Sequence, residues 1–229
     1  MKTLLRRVAT RLARAPIIDT GLGFRYYQYR PQSLPYAELE AHNIEWAKNI
    51  KPGDVVFDIG GNFGTISLLA ASRGATTFAF ETNIGNLARL QENARLNGWW
   101  DRINGFCIAV SDETGMGTML NNKPQLAHIG LYLEGKRRAN IPGVPVRIPT
   151  FTMDDLSDLL GVPAHVKIDV DGAEQAVIKG GWKTLSQARS LSLEWRREEG
   201  FPTEELGLRQ TYIRERPEPG IFEAVFVRD

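Results

Sequence analysis

Asp58, Gly60, Gly61, Asn62 and Gly64 lie in one stretch, VVFDIGGNFG, and Glu81 closes the run FAFE that follows it. Glycines at the end of an apolar run let a ligand approach the backbone. The acids choose the ligand. A dinucleotide fingerprint G-x-G-x-x-G needs glycine where Asp58 stands, and a carboxylate there repels a pyrophosphate. It suits a ligand with a cationic amino or sulfonium group, and S-adenosylmethionine carries both. Glu81 stands where an acid accepts hydrogen bonds from both hydroxyls of a ribose. The plain alternative is a tight strand-to-helix turn that binds nothing.

A second set of reactive groups lies in HVKIDVDGAE. Lys167, Asp169 and Asp171 alternate with Val166, Ile168 and Val170, so on a strand they share one face. Glu174 follows. Three acids and a lysine are costly to bury unless they are paired or working. Asp169 or Asp171 could take a proton from a hydroxyl, with Lys167 or His128 as alternatives. Asp169, Asp171 and Glu194, the last in LSLEW, could instead hold Mg²⁺, which lowers the pKa of a bound hydroxyl, and the sequence leaves the metal open. A structural ion-pair set that fixes the turn is the remaining reading. Asp112, in SDETG, is placed either to accept from an adenine amino group or to cap a turn.

Such residues need a scaffold. Strand, glycine turn, helix and strand over 55–81 make the first half of a nucleotide-binding α/β unit. Hydrophobic spacing predicts helices over Pro35–Ile50, Phe63–Arg73, Ile84–Leu96 with Asn83 as its cap, Asp154–Leu160 and Ala173–Lys179. Further strands are expected over Phe106–Val110, Leu191–Trp195, Thr211–Arg214 and Phe222–Arg228. Leu131–Glu134 and Val144–Ile148 read as a hairpin or flap around GKRRANIPG, whose Lys136, Arg137 and Arg138 face solvent or an anionic substrate. The aromatic run Phe24–Tyr29 reads as an edge strand or a cover for the pocket.

The 229 residues suffice for one large α/β domain, divided here into a basic arm with covering helices over 1–50 and a catalytic domain over 51–229. A hydrophobic content of 42% and a charged content of 24% are those of an ordinary globular chain. The net charge of +1 conceals +6 in residues 1–30 against −5 in the remainder, and an acidic body argues against a nucleic-acid channel. Leu4, Leu5, Val8 and Leu12 recur at helical spacing between arginines, which suits either a solvated helix or contact with an anionic membrane surface. The one cysteine, Cys107, excludes an internal disulfide and reads as a buried thiol. No apolar run reaches the length of a membrane span, and arginines interrupt any signal-peptide core. A cytoplasmic protein is expected.

The series VFDIGGNFG, FAFE, ENARLNG, AVSDETG, VKIDVDGAE with IKGG, and LSLEW resembles the FkbM-like methyltransferases, in order and spacing from Val55 to Trp195. VKIDVDGAE after TFTMDDL is the most specific part, although family members often carry glutamate where Asp171 stands. The resemblance implies an α/β fold: a Rossmann-like, seven-stranded, mostly parallel sheet with helices on both faces. It implies an S-adenosylmethionine site at Asp58, Gly60 and Gly64, with Glu81 on the ribose and Asp112 near adenine. It also implies methyl transfer to a hydroxyl of a sugar, polyketide or other small metabolite. Two rival readings are a Rossmann oxidoreductase using NAD, against which Asp58 weighs, and a binding module without catalysis, against which the full acid set weighs. An enzyme that methylates nucleic-acid bases is disfavoured, because no Asn-Pro-Pro-aromatic run is present.

Overall fold

The computed structural model describes residues 15–28, 35–121, 131–133, 144–170, 172–196, 205–216 and 220–229. Along the chain run β1 (Ile17–Asp19), β2 (Arg25–Tyr27), α1 (Tyr36–Leu39), α2 (Ala41–Ala47), β3 (Val55–Ile59), α3 (Thr65–Ser72), β4 (Thr76–Phe80), α4 (Ile84–Leu96) and β5 (Ile103–Phe106). Then come β6 (Ala109–Ser111), β7 (Gly115–Asn121), β8 (Leu131–Leu133), β9 (Val144–Thr152), α5 (Met153–Leu160) and β10 (His165–Ile168). The chain closes with α6 (Glu174–Lys179), α7 (Trp182–Leu185), β11 (Ser190–Arg196), β12 (Arg209–Glu215) and β13 (Ile221–Val227).

Seven strands form the central sheet in the order β5-β4-β3-β10-β11-β13-β12. Neighbours are parallel except that β13 runs antiparallel to both β11 and β12, so β13 is the reversed strand. The expected α/β architecture is the one observed. Strands covered on both faces read as apolar runs rather than alternations, and Val56, Phe57 and Ile59 are each 1% exposed or less. Alternation still sorts the faces. Phe57, Ile59, Val166, Ile168, Leu191, Leu193 and Phe226 pack with α5, α6 and α7. Val56, Ala79 and Val225 pack with α2, α3, α4 and the aromatic rings of β2. Asp58, Lys167, Ser192, Glu194 and Glu223 share the second face by strand parity.

Helix α4 has the predicted bounds. Its cap Asn83 accepts from Gly85 N at 2.8 Å and Asn86 N at 3.3 Å, which satisfies helix N–H groups that have no intrahelical partner. The expected single helix over Pro35–Ile50 is two helices joined at Glu40. The expected third strand, Phe106–Val110, is divided. β5 ends in the central sheet at Phe106, and β6 opens a separate four-stranded sheet of order β6-β9-β7-β8. β7 lies between β8 and β9, so those two are not the two arms of one hairpin.

The aromatic run forms a two-stranded hairpin, β1 with β2. It is held by amide side chains of α4 and of its C-cap, Asn97. Asn97 Oδ1 accepts from Arg25 N and Asn93 Oδ1 from Tyr27 N, each at 2.8 Å, while Asn93 Nδ2 donates to Phe63 O at 2.8 Å. Tyr26, fully buried, stacks on Phe63 with ring centroids 6.3 Å apart. The hairpin thus covers the glycine turn. Trp46 and Ala47, both fully enclosed, continue the same core, so no break in packing falls at residue 50.

At the opposite, amino edge of the sheet, His165 joins Ser190 Oγ, 2.7 Å from its Nδ1, to Asp54 Oδ2, 2.9 Å from its Nε2. The order of groups is that of a hydrolytic triad, but His165 and Ser190 are each 1% exposed. No substrate reaches such a serine. The trio instead ties β10 and β11 to the turn that precedes β3.

Candidate active site

The chain leaves β3 toward β4 and leaves β10 toward β11, in opposite directions along the sheet. The crevice beyond the carboxyl ends of β3 and β10 is therefore the topological switch point, where ligands of such sheets bind. Gly60 shapes it. Its φ is +81°, and a Cβ at this position would stand 1.9 Å from the carbonyl oxygen of Asp169. The sequence needs glycine here because two backbones meet.

The N–H groups of this turn are already engaged. Gly60 N and Gly61 N donate to Phe80 O at 2.9 and 3.1 Å, and Gly64 N donates to Gly61 O at 2.8 Å. Asn62, in the left-handed region at φ +49°, donates its N–H to Glu81 Oε2 at 2.7 Å. A pyrophosphate needs a nest of unengaged N–H groups, and these four do not supply one.

What the turn offers is acceptors. Glu81 is 7% exposed, and Asn83 N donates to its Oε1 at 2.6 Å. Burial raises its pKa, opposed by those two N–H bonds and by the Lys167 cation. Asn62 Oδ1 and Asn86 Oδ1, which flank this carboxylate across the turn and in the chain, are buried with no hydrogen-bond partner among the described residues. Buried acceptors without donors are costly, and a ligand bearing hydroxyl groups would satisfy them. Glu81, Asn62 and Asn86 therefore fit the ribose of a nucleoside. Sequence reasoning named Glu81 and Asn62 but missed Asn86, whose signal was its place one turn inside α4.

Asp58 departs from its expected part. It is fully enclosed; Ser67 Oγ donates to its Oδ2 at 2.6 Å, and Lys167 Nζ lies 3.5 Å from its Oδ1. It holds the turn from beneath and is not presented to a ligand's cationic group. The carboxylate exposed at the crevice is Asp169, whose side chain is 44% exposed and 3.6 Å from Lys167 Nζ. Lys167 also donates to Gly60 O at 2.9 Å. Burial disfavours its charge, but the carboxylates of Asp169 and Asp58 outweigh burial and hold its pKa above the ordinary lysine value. It stays a cation, so it anchors the two acids and is unsuited to accepting a proton.

Asp112 stands after β6, in the separate sheet. Ser111 Oγ donates to its Oδ1 and Lys179 Nζ to its Oδ2, each at 3.2 Å. This is the turn reading. The residues that follow the central strand β5 are Cys107 and Ile108. Cys107 is half-buried rather than enclosed, and burial followed by the charge of Glu81 raises its thiol pKa. Glu174, 4% exposed, accepts from Gly172 N at 2.9 Å and Val170 N at 3.3 Å. It fixes the loop between β10 and α6. Asp171, His128 and the cluster Lys136, Arg137 and Arg138 lie outside the described residues, as does the basic arm over 1–14. Among the described residues no group of three or more His, Cys, Asp or Glu is arranged to hold a metal ion. None of the described helices is long and apolar enough to cross a membrane.

The family described as Methyltransferase FkbM domain matches residues 58–215, from the buried acid of β3 to the end of β12. The chain belongs to the FkbM methyltransferase family. Three curated relatives agree. A 2-O-methyltransferase, NoeI, of Sinorhizobium fredii is 27% identical over 70% of this chain and 71% of its own length. The hexuronic acid methyltransferase AglP of Haloferax volcanii is 30% identical over 62% of this chain and 55% of its own. The 31-O-demethyl-FK506 methyltransferase FkbM of Streptomyces tacrolimicus is 28% identical over 72% of each. Among solved structures, an S-adenosylmethionine-dependent methyltransferase of Agrobacterium tumefaciens covers 95% of this FkbM-family chain and 72% of its own, with a TM-score of 0.52 at 12% identity. That likeness is one of fold. The protein is a methyltransferase.

Proposed function

We propose that this FkbM-family chain transfers a methyl group from S-adenosylmethionine to a hydroxyl of a sugar or other small metabolite. The observation that carries the reading is the acceptor-lined turn: Glu81 with the oxygens of Asn62 and Asn86 that have no partner among the described residues, beside glycines whose N–H groups are engaged. Such a rim favours a ribose over the pyrophosphate that an oxidoreductase's NAD would bring. The names of two relatives describe transfer to oxygen, and the third a hexuronic acid, which supports a hydroxyl-bearing acceptor.

When bound, the cofactor supplies an electrophilic methyl group on a sulfonium. The chain's part is to hold the acceptor oxygen in line with that methyl, and positioning of this kind supplies on the order of several kcal/mol. Gly60 and Gly64 let the turn close against the Asp169 backbone and Leu90, which shapes the crevice, with Glu81 on the nucleoside's hydroxyls. Lys167 locks the end of β3 to β10 through Gly60 O, Asp58 and Asp169. Asp169, exposed at the crevice, accepts a hydrogen bond from the acceptor hydroxyl and orients it.

The test is formation of S-adenosylhomocysteine with a panel of methyl glycosides. The native chain turns over, and Asp169→Asn binds the product nucleoside normally but loses most turnover. Full turnover by Asp169→Asn would remove Asp169 from this role.

A further inference from the structure

Beyond Asp169 the carboxyl edge of the sheet carries a second acid that the reading above leaves without work. Glu194 of β11 lies one residue past the pairing of Leu193 with Ile168, which sets it beside Asp169 on the face shared with Lys167. Its side chain is 16% exposed. Its Oε2 is bound by Nη1 of Arg216, just after β12, and its Oε1 has no hydrogen-bond partner among the described residues. Arg216 is braced in turn, with Nε 3.5 Å from Glu223 Oε1. Arg214 donates to Glu223 Oε2 at 2.9 and 2.5 Å, and His42 Nδ1 lies 3.1 Å from the same oxygen. One oxygen of Glu194 is thus fixed by a fixed cation.

We infer that Glu194 is the group that takes the proton from the acceptor hydroxyl, with Arg216 as its positioning residue. This rests on the O-methyltransferase reading and deepens it. As the acceptor oxygen bonds to the methyl carbon, the carbon–sulfur bond of the methyl sulfonium donor breaks with its electron pair left on sulfur. The hydroxyl proton passes to Glu194, which becomes the neutral acid and later returns the proton to water. A base works best when its proton affinity lies near the working pH. Burial, and then the charge of Asp169, push Glu194 up to about 8 against the pull of Arg216. The charged groups facing it are Asp169 and Lys167 from β10, Arg216 and, from β13, Glu223; His42 and Arg214 face Glu223 from the other side. Asp169 has other partners, the Lys167 cation and solvent, and is left to orient the acceptor.

The experiment uses the full chain, with S-adenosylhomocysteine formation followed across about pH 6–9 on a panel of methyl glycosides of neutral and uronic-acid sugars. For the native chain, kcat/KM rises with pH and levels off near about 8. Glu194→Gln lowers kcat on the order of 10²-fold or more and removes that break, while S-adenosylhomocysteine binds with native affinity. Asp169→Asn moves the break to lower pH, which a merely structural role for Asp169 would not do. If Glu194→Gln fails to fold, Glu194→Asp is read instead: a shorter acid loses at least about tenfold in kcat but keeps a pH break. Native kcat and an unchanged break in a folded Glu194 variant would overturn the assignment. A native chain that binds S-adenosylhomocysteine but methylates nothing in the panel would overturn the sugar-hydroxyl reading beneath it, and the assignment with it.

Discussion

Gly60→Ala is the most severe single change that the crevice permits. The added Cβ would meet the carbonyl oxygen of Asp169 at 1.9 Å and its carbon at 2.9 Å. A carbon–oxygen contact normally settles at about 3.3 Å, so β3 and β10 would have to part by more than about 1 Å at their carboxyl ends. The obstacle is backbone, and no rotamer relieves it. The residue would also have to keep φ at +81°, which costs an L-residue roughly 1–2 kcal/mol. Parting the strands strains two hydrogen bonds, Asp169 N to Ile59 O at 3.1 Å and Lys167 Nζ to Gly60 O at 2.9 Å. Bonds of this kind contribute about 1 kcal/mol each, more when one partner is charged. A loss of about 3–5 kcal/mol is expected, a large share of the stability of an ordinary domain. Urea denaturation of both proteins measures it. A variant within about 1 kcal/mol of native, with native affinity for S-adenosylhomocysteine, would refute the claim that this seam is closed by backbone contact.

Three further outcomes follow from the same geometry. Lys167→Met leaves the enclosed Asp58 without its cation and destabilises the chain by about 3–5 kcal/mol in urea; a loss under about 1 kcal/mol would show that Ser67 alone suffices. Burial lowers the pKa of His165 against the opposing pull of Asp54, so the imidazole is neutral in the folded state. Its stabilising effect is complete above the unfolded value of about 6.5 and declines as pH falls below it, so native stability drops more steeply there than that of His165→Gln; equal slopes, or an imidazolium at neutral pH by NMR, would contradict this. Asp112→Asn changes affinity for S-adenosylhomocysteine by less than about twofold, because the carboxylate is held by Lys179 outside the central sheet; a large loss would restore its adenine contact.

Local pattern made much of the fold legible. Apolar runs marked the parallel strands, and Asn83 with Asn97-Gly98 bounded α4 to the residue. The family motifs lie where β3, β4 and β10 end, so the crevice itself was readable. What the sequence hid was depth and partnership. Alternation puts Lys167 and Asp169 on one face, but it does not show that Asp58 pairs beside Lys167, that a helix covers Asp58 or that Ser67 claims one of its oxygens. Asp112 was misplaced because the run FCIAV looks continuous, yet β5 ends at Phe106 and the chain changes sheets at Ala109. The strand parity of LSLEW sets Glu194 apart from Leu191 and Leu193. Its partner Arg216 is distant in the chain, beyond a turn with no motif, and only tertiary packing joins them.

On the function proposed here, the acceptor-lined turn holds a sulfonium nucleoside by its ribose. Calorimetric titration of the native chain and of Glu81→Ala with S-adenosylhomocysteine, and of the native chain with NAD, tests it most directly. The native chain is expected to bind one equivalent and no NAD, and Glu81→Ala to lose at least about tenfold in affinity as two charge-assisted hydrogen bonds disappear. Equal affinity in Glu81→Ala, or binding of NAD in place of S-adenosylhomocysteine, would contradict it.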